Sequence, residues 1–264
     1  MGGRIAQEIW GRGCGKGLGL GARARTGKPL QDFFWPQPRA RSPEPFFLLC
    51  YSLSMISNLH VLILAAGAST RLGQPKQLVR LGGRPALHIV VSNAVAVAGH
   101  AVTVVAGAHA REMSHLLNHT SASVIVNRHW EEGMGSSLRF GVNSLPPGCE
   151  AVLVLLGDQV AVTPDDLKRL IGAWKGQEEI LATAVYERHE GVPAIFPRIC
   201  FPELSSLRGD QGARGVIQRN QFRLVRVPMP NAAVDLDTPE DLAAVAQRFD
   251  AGAPQKIMWE NQNK

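Results

Sequence analysis

From residue 59 onward, runs of apolar residues alternate with segments whose apolar positions recur at helical spacing. The runs at 59–65, 101–106, 122–127 and 151–156 predict strands, and the periods at 84–98, 109–119, 134–145 and 163–174 predict helices. A strand as uniformly apolar as residues 151–156 is covered on both faces, the mark of a parallel sheet held between helices. Beyond residue 174 the pattern loosens into strands near 180–186, 193–196 and 222–227, two short helical pieces, and a closing helix at 238–249. The expectation is one α/β domain over residues 58–249, doubly wound, with a mostly parallel sheet and a mixed extension in its second half.

Residues 1–54 lack either period and are rich in Gly, Pro and Arg. Such a segment cannot bury enough surface to offset its ordering entropy, so it is expected to be disordered and dispensable. Residues 250–264 read as a flexible tail. Charge supports this division: residues 1–54 carry eight Lys and Arg against Glu8, Asp32 and Glu44, which is +5 of the chain's formal +6. The domain itself is close to neutral and shows no basic stripe, and two tyrosines in the whole chain make a poor base-stacking platform, so nucleic acid is not an expected partner. A GxGxxA match at Gly17, Gly19 and Ala22 follows no strand and carries no dinucleotide reading.

Cys14, Cys50, Cys149 and Cys200 are far apart and have no CxxC or CxxH spacing, which suggests reduced thiols in the cytoplasm rather than a disulfide framework or a zinc site. The apolar run at 46–51 is far shorter than the roughly 20 residues of a spanning helix, so no membrane segment is expected. The histidines show no ligand spacing, and His100, His109, His115 and His119 are expected on exposed turns or helix faces.

Ligands of an open α/β sheet bind at the carboxyl ends of strands, which directs attention to the segment after the first strand. There Leu64, Ala65, Ala66, Gly67, Ala68 and Ser69 combine little side-chain bulk with backbone N–H groups that an anion could approach. Arg71 and Lys76 follow as a forked and a point cation suited to phosphate. A tight turn with two solvated cations is the competing reading. Asp158 comes after six apolar residues and Gly157, where a lone carboxylate would be costly without a cation. Helix capping does not need it, because Thr163-Pro164-Asp165-Asp166 and Thr238-Pro239-Glu240-Asp241 each supply a hydroxyl N-cap, Pro at N1 and a carboxylate at N3.

The run Leu64-Ala65-Ala66-Gly67-Ala68-Ser69-Thr70-Arg71-Leu72-Gly73-Gln74-Pro75-Lys76 resembles the signature of nucleotidyltransferases related to the molybdenum cofactor cytidylyltransferases. Later stations agree in order: Glu131 to Leu138, Leu155 to Leu167, Gly191 to Pro197, Gly209 to Arg214 and Asp235 to Leu242. The resemblance implies a Rossmann-like fold and an NTP, most simply CTP, held on the first loop. It further implies Mg2+ held by Asp158 and Asp237, with Asp235 able to share or replace the role of Asp237. Arg71 would hold the β- and γ-phosphates and Lys76 the α-phosphate. For Ser137 two readings stand: a hydroxyl that reads the pyrimidine, or, like Ser136, an N-cap.

The activity implied is transfer of CMP to the phosphate of a molybdopterin-type acceptor, with a molybdenum hydroxylase or its accessory protein as the onward partner. Guanylyl transfer, the cytidylyl transfer of isoprenoid synthesis, and a cofactor-binding and delivery protein are the alternatives. Two positions depart from the family pattern: Val160, where many members have Pro, and Val192-Pro193, where many have His-Pro. The second lies toward the acceptor side and leaves the acceptor open.

Overall fold

The computed structural model describes residues 58–251; the expectations for residues 1–54 and for most of 250–264 lie outside this range. A seven-stranded sheet in the order β5-β4-β1-β6-β8-β7-β9 runs through the domain. Its strands are β1 (Leu59–Ala65), β4 (Val102–Ala106), β5 (Ser123–Val126), β6 (Ala151–Leu156), β7 (Leu181–Tyr186), β8 (His189–Pro197) and β9 (Leu224–Pro228). The pairs β1·β4, β1·β6, β4·β5 and β7·β9 are parallel, whereas β8 runs antiparallel to both β6 and β7. This is the doubly wound α/β fold with a mixed extension that the apolar pattern predicts.

Alternation along β1 explains the winding. Val61, Ile63 and Ala65 face one core with α1 (Ala86–Ala98), α2 (Ala110–Leu117), α4 (Pro164–Trp174) and α7 (Pro239–Ala251). Leu62 and Leu64 face the other, with α3 (Met134–Asn143), α5 (Phe201–Ser205) and α6 (Ala213–Arg219). Leu62, Ile63, Leu153 and Phe196 are fully buried; truncating such a side chain to Ala costs about 2–5 kcal/mol.

Two elements differ from expectation for local reasons. The first helix begins at Ala86 instead of residue 84, because Arg84–Pro85 (β3) folds back on Arg80–Leu81 (β2) as a two-stranded hairpin. β8 begins at His189 and not at residue 193: exposed His189 and half-buried Glu190 hide its apolar period, yet they pair with Tyr186 and Val185 across a tight turn at Glu187 and Arg188. Both turn residues take positive φ, 48° and 64°, as tight hairpin turns with the right twist require. The two expected caps are present. Thr163 Oγ1 accepts from the N–H of Asp166 while the Asp166 carboxylate accepts from the N–H of Thr163, and Thr238 and Asp241 repeat the exchange.

Because β8 alone is reversed, the carboxyl ends of β1, β4, β5, β6, β7 and β9 and the start of β8 share one edge of the sheet. Among the described residues no helix is long and apolar enough to cross a membrane.

Candidate active site

The first loop leaves β1 beside the end of β6, where the N–H of Gly157 donates to the carbonyl of Leu64 at 2.9 Å. Its far side lies against Gly107, after β4, where a Cβ would fall 2.5 Å from the carbonyl oxygen of Ala66 and 2.7 Å from Cβ of Trp130. Glycine is therefore the residue that lets loop and strand end approach this closely. Ser69 takes the left-handed region at φ 57° and is braced by its own hydroxyl, which accepts from the Lys76 N–H at 3.1 Å and donates to Gln77 Oε1 at 3.3 Å. Gln77 is buried, and its amide donates to the carbonyls of Ala65 and Gly67. With those carbonyls pulled inward, the N–H groups of Gly67, Ala68 and Ser69 meet no protein acceptor among the described residues.

The charged groups gather at the mouth of this loop. Lys76 Nζ is shared by two carboxylates, donating to Asp158 Oδ2 and, at 3.0 Å, to Asp237 Oδ1. Arg71 reaches Asp237 Oδ2 at 3.1 Å with most of its side chain in solvent. Burial alone would lower the Lys76 ammonium, but the Asp158 and Asp237 carboxylates outweigh it and hold the pKa above the usual lysine value. Burial likewise would raise Asp237, and the bonds and charges of Lys76 and Arg71 bring it below the usual carboxylate value. The cation that the sequence demands for buried Asp158 is thus, in this structure, the ammonium of Lys76.

Asp235 completes the group. Its Oδ1 is buried without a hydrogen-bond partner, and burial together with the Asp158 and Asp237 carboxylates pushes its pKa up to about 6. Among the described residues no three His, Cys, Asp or Glu side chains converge as a ready-made ligand set. A hard divalent cation does not need such a set, since one or two carboxylates can hold it while water and other oxygens complete its shell. An orphaned carboxylate oxygen beside two further carboxylates fits a divalent cation.

Between the loop and α3 lies a cavity of about 380 Å3, lined by Ala65, Ala66, Lys76, Trp130, Ser137 and Asp158 among others, the carboxylate-bearing Glu131 and Asp210 included. A smaller hollow of about 200 Å3 adjoins Ser69, Arg71, Lys76 and Asp237. The capping reading of the two serines does not hold: the N-cap of α3 is Gly133, and no side chain bonds there as a cap. Ser136 instead donates back to the carbonyls of His129 and Gly133. Ser137 Oγ accepts from Asn127 Nδ2 at 3.1 Å and lines the cavity with its own proton available to donate. The structure therefore gathers Leu64 to Ser69, Arg71, Lys76, Ser137, Asp158 and Asp237 at one edge. His100, His115 and His119 are exposed as expected, while His109 is half-buried.

Sequence reasoning missed Gln77 and Asn127 as parts of the site. For Asn127 a signal existed, a polar residue closing an apolar strand. Gln77 reads like any surface glutamine until the fold turns it inward.

The sequence profile of the MobA-like NTP transferase domain matches residues 61–225, more than half of the chain and all of the loops just described except the one bearing Asp235 and Asp237. The chain belongs to this family. Among its relatives, the Purine catabolism protein PucB of Bacillus subtilis (strain 168) is 28% identical over 67% of this chain and 91% of its own length. The "Probable molybdenum cofactor guanylyltransferase" of Trichormus variabilis is 25% identical over 75% of this chain and 96% of its own. The crystal structure of Rv0371c from Mycobacterium tuberculosis H37Rv in complex with manganese superposes with a TM-score of 0.61 at 25% identity, covering 72% of this chain and 99% of that one. As a MobA-like NTP transferase, the chain is a nucleotidyltransferase of the small-molecule kind.

Proposed function

We propose that the protein transfers CMP from CTP to the terminal phosphate of a molybdopterin-type acceptor and releases pyrophosphate. The observation that carries this reading is the Lys76 ammonium shared by Asp158 and Asp237 at the mouth of a small-residue loop with open N–H groups, directly beside a nucleotide-sized cavity. The N–H groups of Gly67 to Ser69, with Arg71, would cradle the β- and γ-phosphates. Lys76 would turn from its carboxylates to the α-phosphate, where charge develops as the acceptor oxygen bonds to the α-phosphorus and the bond to the leaving pyrophosphate breaks. The chain's task is positioning and charge neutralisation, since both the attacking group and the leaving group are already anions.

Asp158 with Asp237 or Asp235 would hold Mg2+, which would supply positive charge to offset that of the phosphates. That the related Rv0371c protein forms a complex with manganese supports a role for a divalent ion here. Ser137, with a free hydroxyl proton at the cavity wall, would read the pyrimidine edge. The two relatives' names differ, one purine catabolism and the other molybdenum cofactor guanylylation, so GTP is the second reading, favoured by the latter relative. Pyrophosphate release from each of the four NTPs with Mg2+, with and without molybdopterin, decides the matter. CTP with molybdopterin should be the productive pair. Release that ignores molybdopterin, or that GTP alone supports, overturns the proposal.

A further inference from the structure

Asn127 follows β5 directly, and the fold leaves its amide one orientation. Its N–H donates to the Ala106 carbonyl at 2.9 Å, which pins its backbone against β4. The side chain is buried, and its Oδ1 accepts from the N–H of His129 at 3.0 Å. A backbone N–H can only donate, so this bond decides which end of the amide is which. Nδ2 then carries two protons and spends both, on Ser136 Oγ at 2.9 Å and on Ser137 Oγ at 3.1 Å.

The two serines differ in what they do with their own protons. Ser136 donates within the protein, to the carbonyls of His129 at 2.7 Å and Gly133 at 3.1 Å. Ser137 is buried, accepts from Asn127 and has no acceptor of its own within hydrogen-bond reach among the described residues. It is Ser137 that lines the larger cavity. Polarity therefore runs one way, from the His129 N–H through Asn127 to Ser137, and the last proton points at whatever fills the cavity. A ligand atom that itself carried a proton there would set two donors face to face and leave the hydroxyl unpaired, which is the costly case for a buried polar group.

We infer that Asn127 sets the choice between pyrimidines: by holding Ser137 as a donor it makes the cavity accept a base whose ring N3 has a lone pair, cytosine, and refuse uracil, whose N3 carries a proton. The inference rests on the nucleotidyl-transfer reading above. The two bases have nearly the same shape, so cavity volume cannot sort them and hydrogen-bond polarity must. The Glu131 and Asp210 carboxylates of the same cavity work in the same direction, since they can accept from the 4-amino group of cytosine and repel the 4-oxo group of uracil. Asn127 touches no substrate in this scheme; it is a positioning residue acting through Ser137. Asn127→Asp keeps the shape and the bond from His129 but replaces the two donated protons by an acceptor. The Ser137 proton then turns back to the carboxylate, and the hydroxyl shows its lone pairs to the cavity.

The test uses the full chain, with Mg2+ and no acceptor substrate: calorimetric titration of wild type, Asn127→Asp, Asn127→Ala and Ser137→Ala with α,β-methylene-CTP and α,β-methylene-UTP. Wild type should bind the CTP analogue at least about tenfold more tightly than the UTP analogue, because a site built to hydrogen-bond its ligand rejects the one that leaves its groups unpaired. Asn127→Asp should lower that ratio at least about tenfold, in part by gaining affinity for the UTP analogue, a gain that a damaged fold does not produce. Asn127→Ala, which frees the hydroxyl to turn either way, and Ser137→Ala should both bring the ratio toward one; they decide the matter if Asn127→Asp does not melt cooperatively. Equal binding of the two analogues by wild type, or a wild-type ratio retained in any of the three variants when folded, overturns the inference and leaves the nucleotidyl reading standing. Failure of wild type to bind either analogue overturns the nucleotidyl reading and the inference with it.

Discussion

The two halves of the sheet are built by different rules. From β5 to β6 every pair is parallel, each strand ends at the same edge, and the segments that leave those ends carry the small-residue loop, Lys76 and Asp158. From β8 to β9 one strand is reversed, so a hairpin and the 208–214 loop supply the opposite wall. The first arrangement places backbone N–H groups and cations with little freedom. The second presents side chains from a turn whose length and composition can vary without disturbing the parallel strands. On the proposed function, the parallel half would serve a chemistry common to the family, and the mixed half is where acceptors would diverge.

The largest effect should come from the residue at the boundary. Asp158→Asn removes a charge on which both halves depend, so turnover should fall by at least about 10²-fold, the usual cost of one transition-state electrostatic contact. Thermal melting should remain cooperative, and a folded variant with near wild-type rate in excess Mg2+ would remove Asp158 from the site. Parallel measurements on Asp235→Asn and Asp237→Asn show which of the two completes the pair.

Gln77→Ala should confine its damage to the parallel half. Losing a buried amide that braces two carbonyls costs about 1–3 kcal/mol of stability, and KM for the NTP should rise while KM for the acceptor stays put. Equal changes in both constants would show that the halves are not separable.

The seam itself can be loosened. The carboxylate of Asp166, on α4 after β6, accepts from Asn231 after β9 at 2.8 Å. Burial alone would raise this carboxyl, but bonds from Asn231 and Thr163 and the charge of Arg169 hold it below the usual carboxylate value. A depressed folded pKa adds stability that is fully present above about pH 4 and is lost as pH falls through the folded value. Asp166→Ala should therefore cost about 1–3 kcal/mol at neutral pH and flatten the acid limb of the melting profile. An unchanged acid limb would place the proton uptake elsewhere.

The smallest expected effect is on base choice. Ala66→Gly adds room on the loop wall of the cavity and should raise the GTP/CTP ratio of kcat/KM; one methyl group is worth about 1–3 kcal/mol, so only a partial switch is expected. An unchanged ratio would move base selection to Ser137.

Most of the fold was legible because its central strands are buried on both faces, and continuous apolar runs such as residues 151–156 announce this directly. The start of β8 was not, since His189 and Glu190 pair through their backbones and send polar side chains outward. At the site, small residues and charges close in sequence could be read as a group. Spatial partnership could not: nothing in the order of residues places Lys76 between Asp158 and Asp237, or leaves one oxygen of Asp235 without a partner.

The shared ammonium of Lys76 has a consequence for how the centre can be filled. Two carboxylates, Asp158 and Asp237, share one partly buried lysine, Arg71 reaches Asp237 from the solvent side, and Asp235 feels the charge of both carboxylates. Any anion that draws Lys76 away leaves those carboxylates facing one another, a repulsion that only a cation arriving with the anion can relieve. Loading of this centre is therefore an exchange of counterions, in which occupant and replacement charge enter together and the local charge is nearly the same before and after.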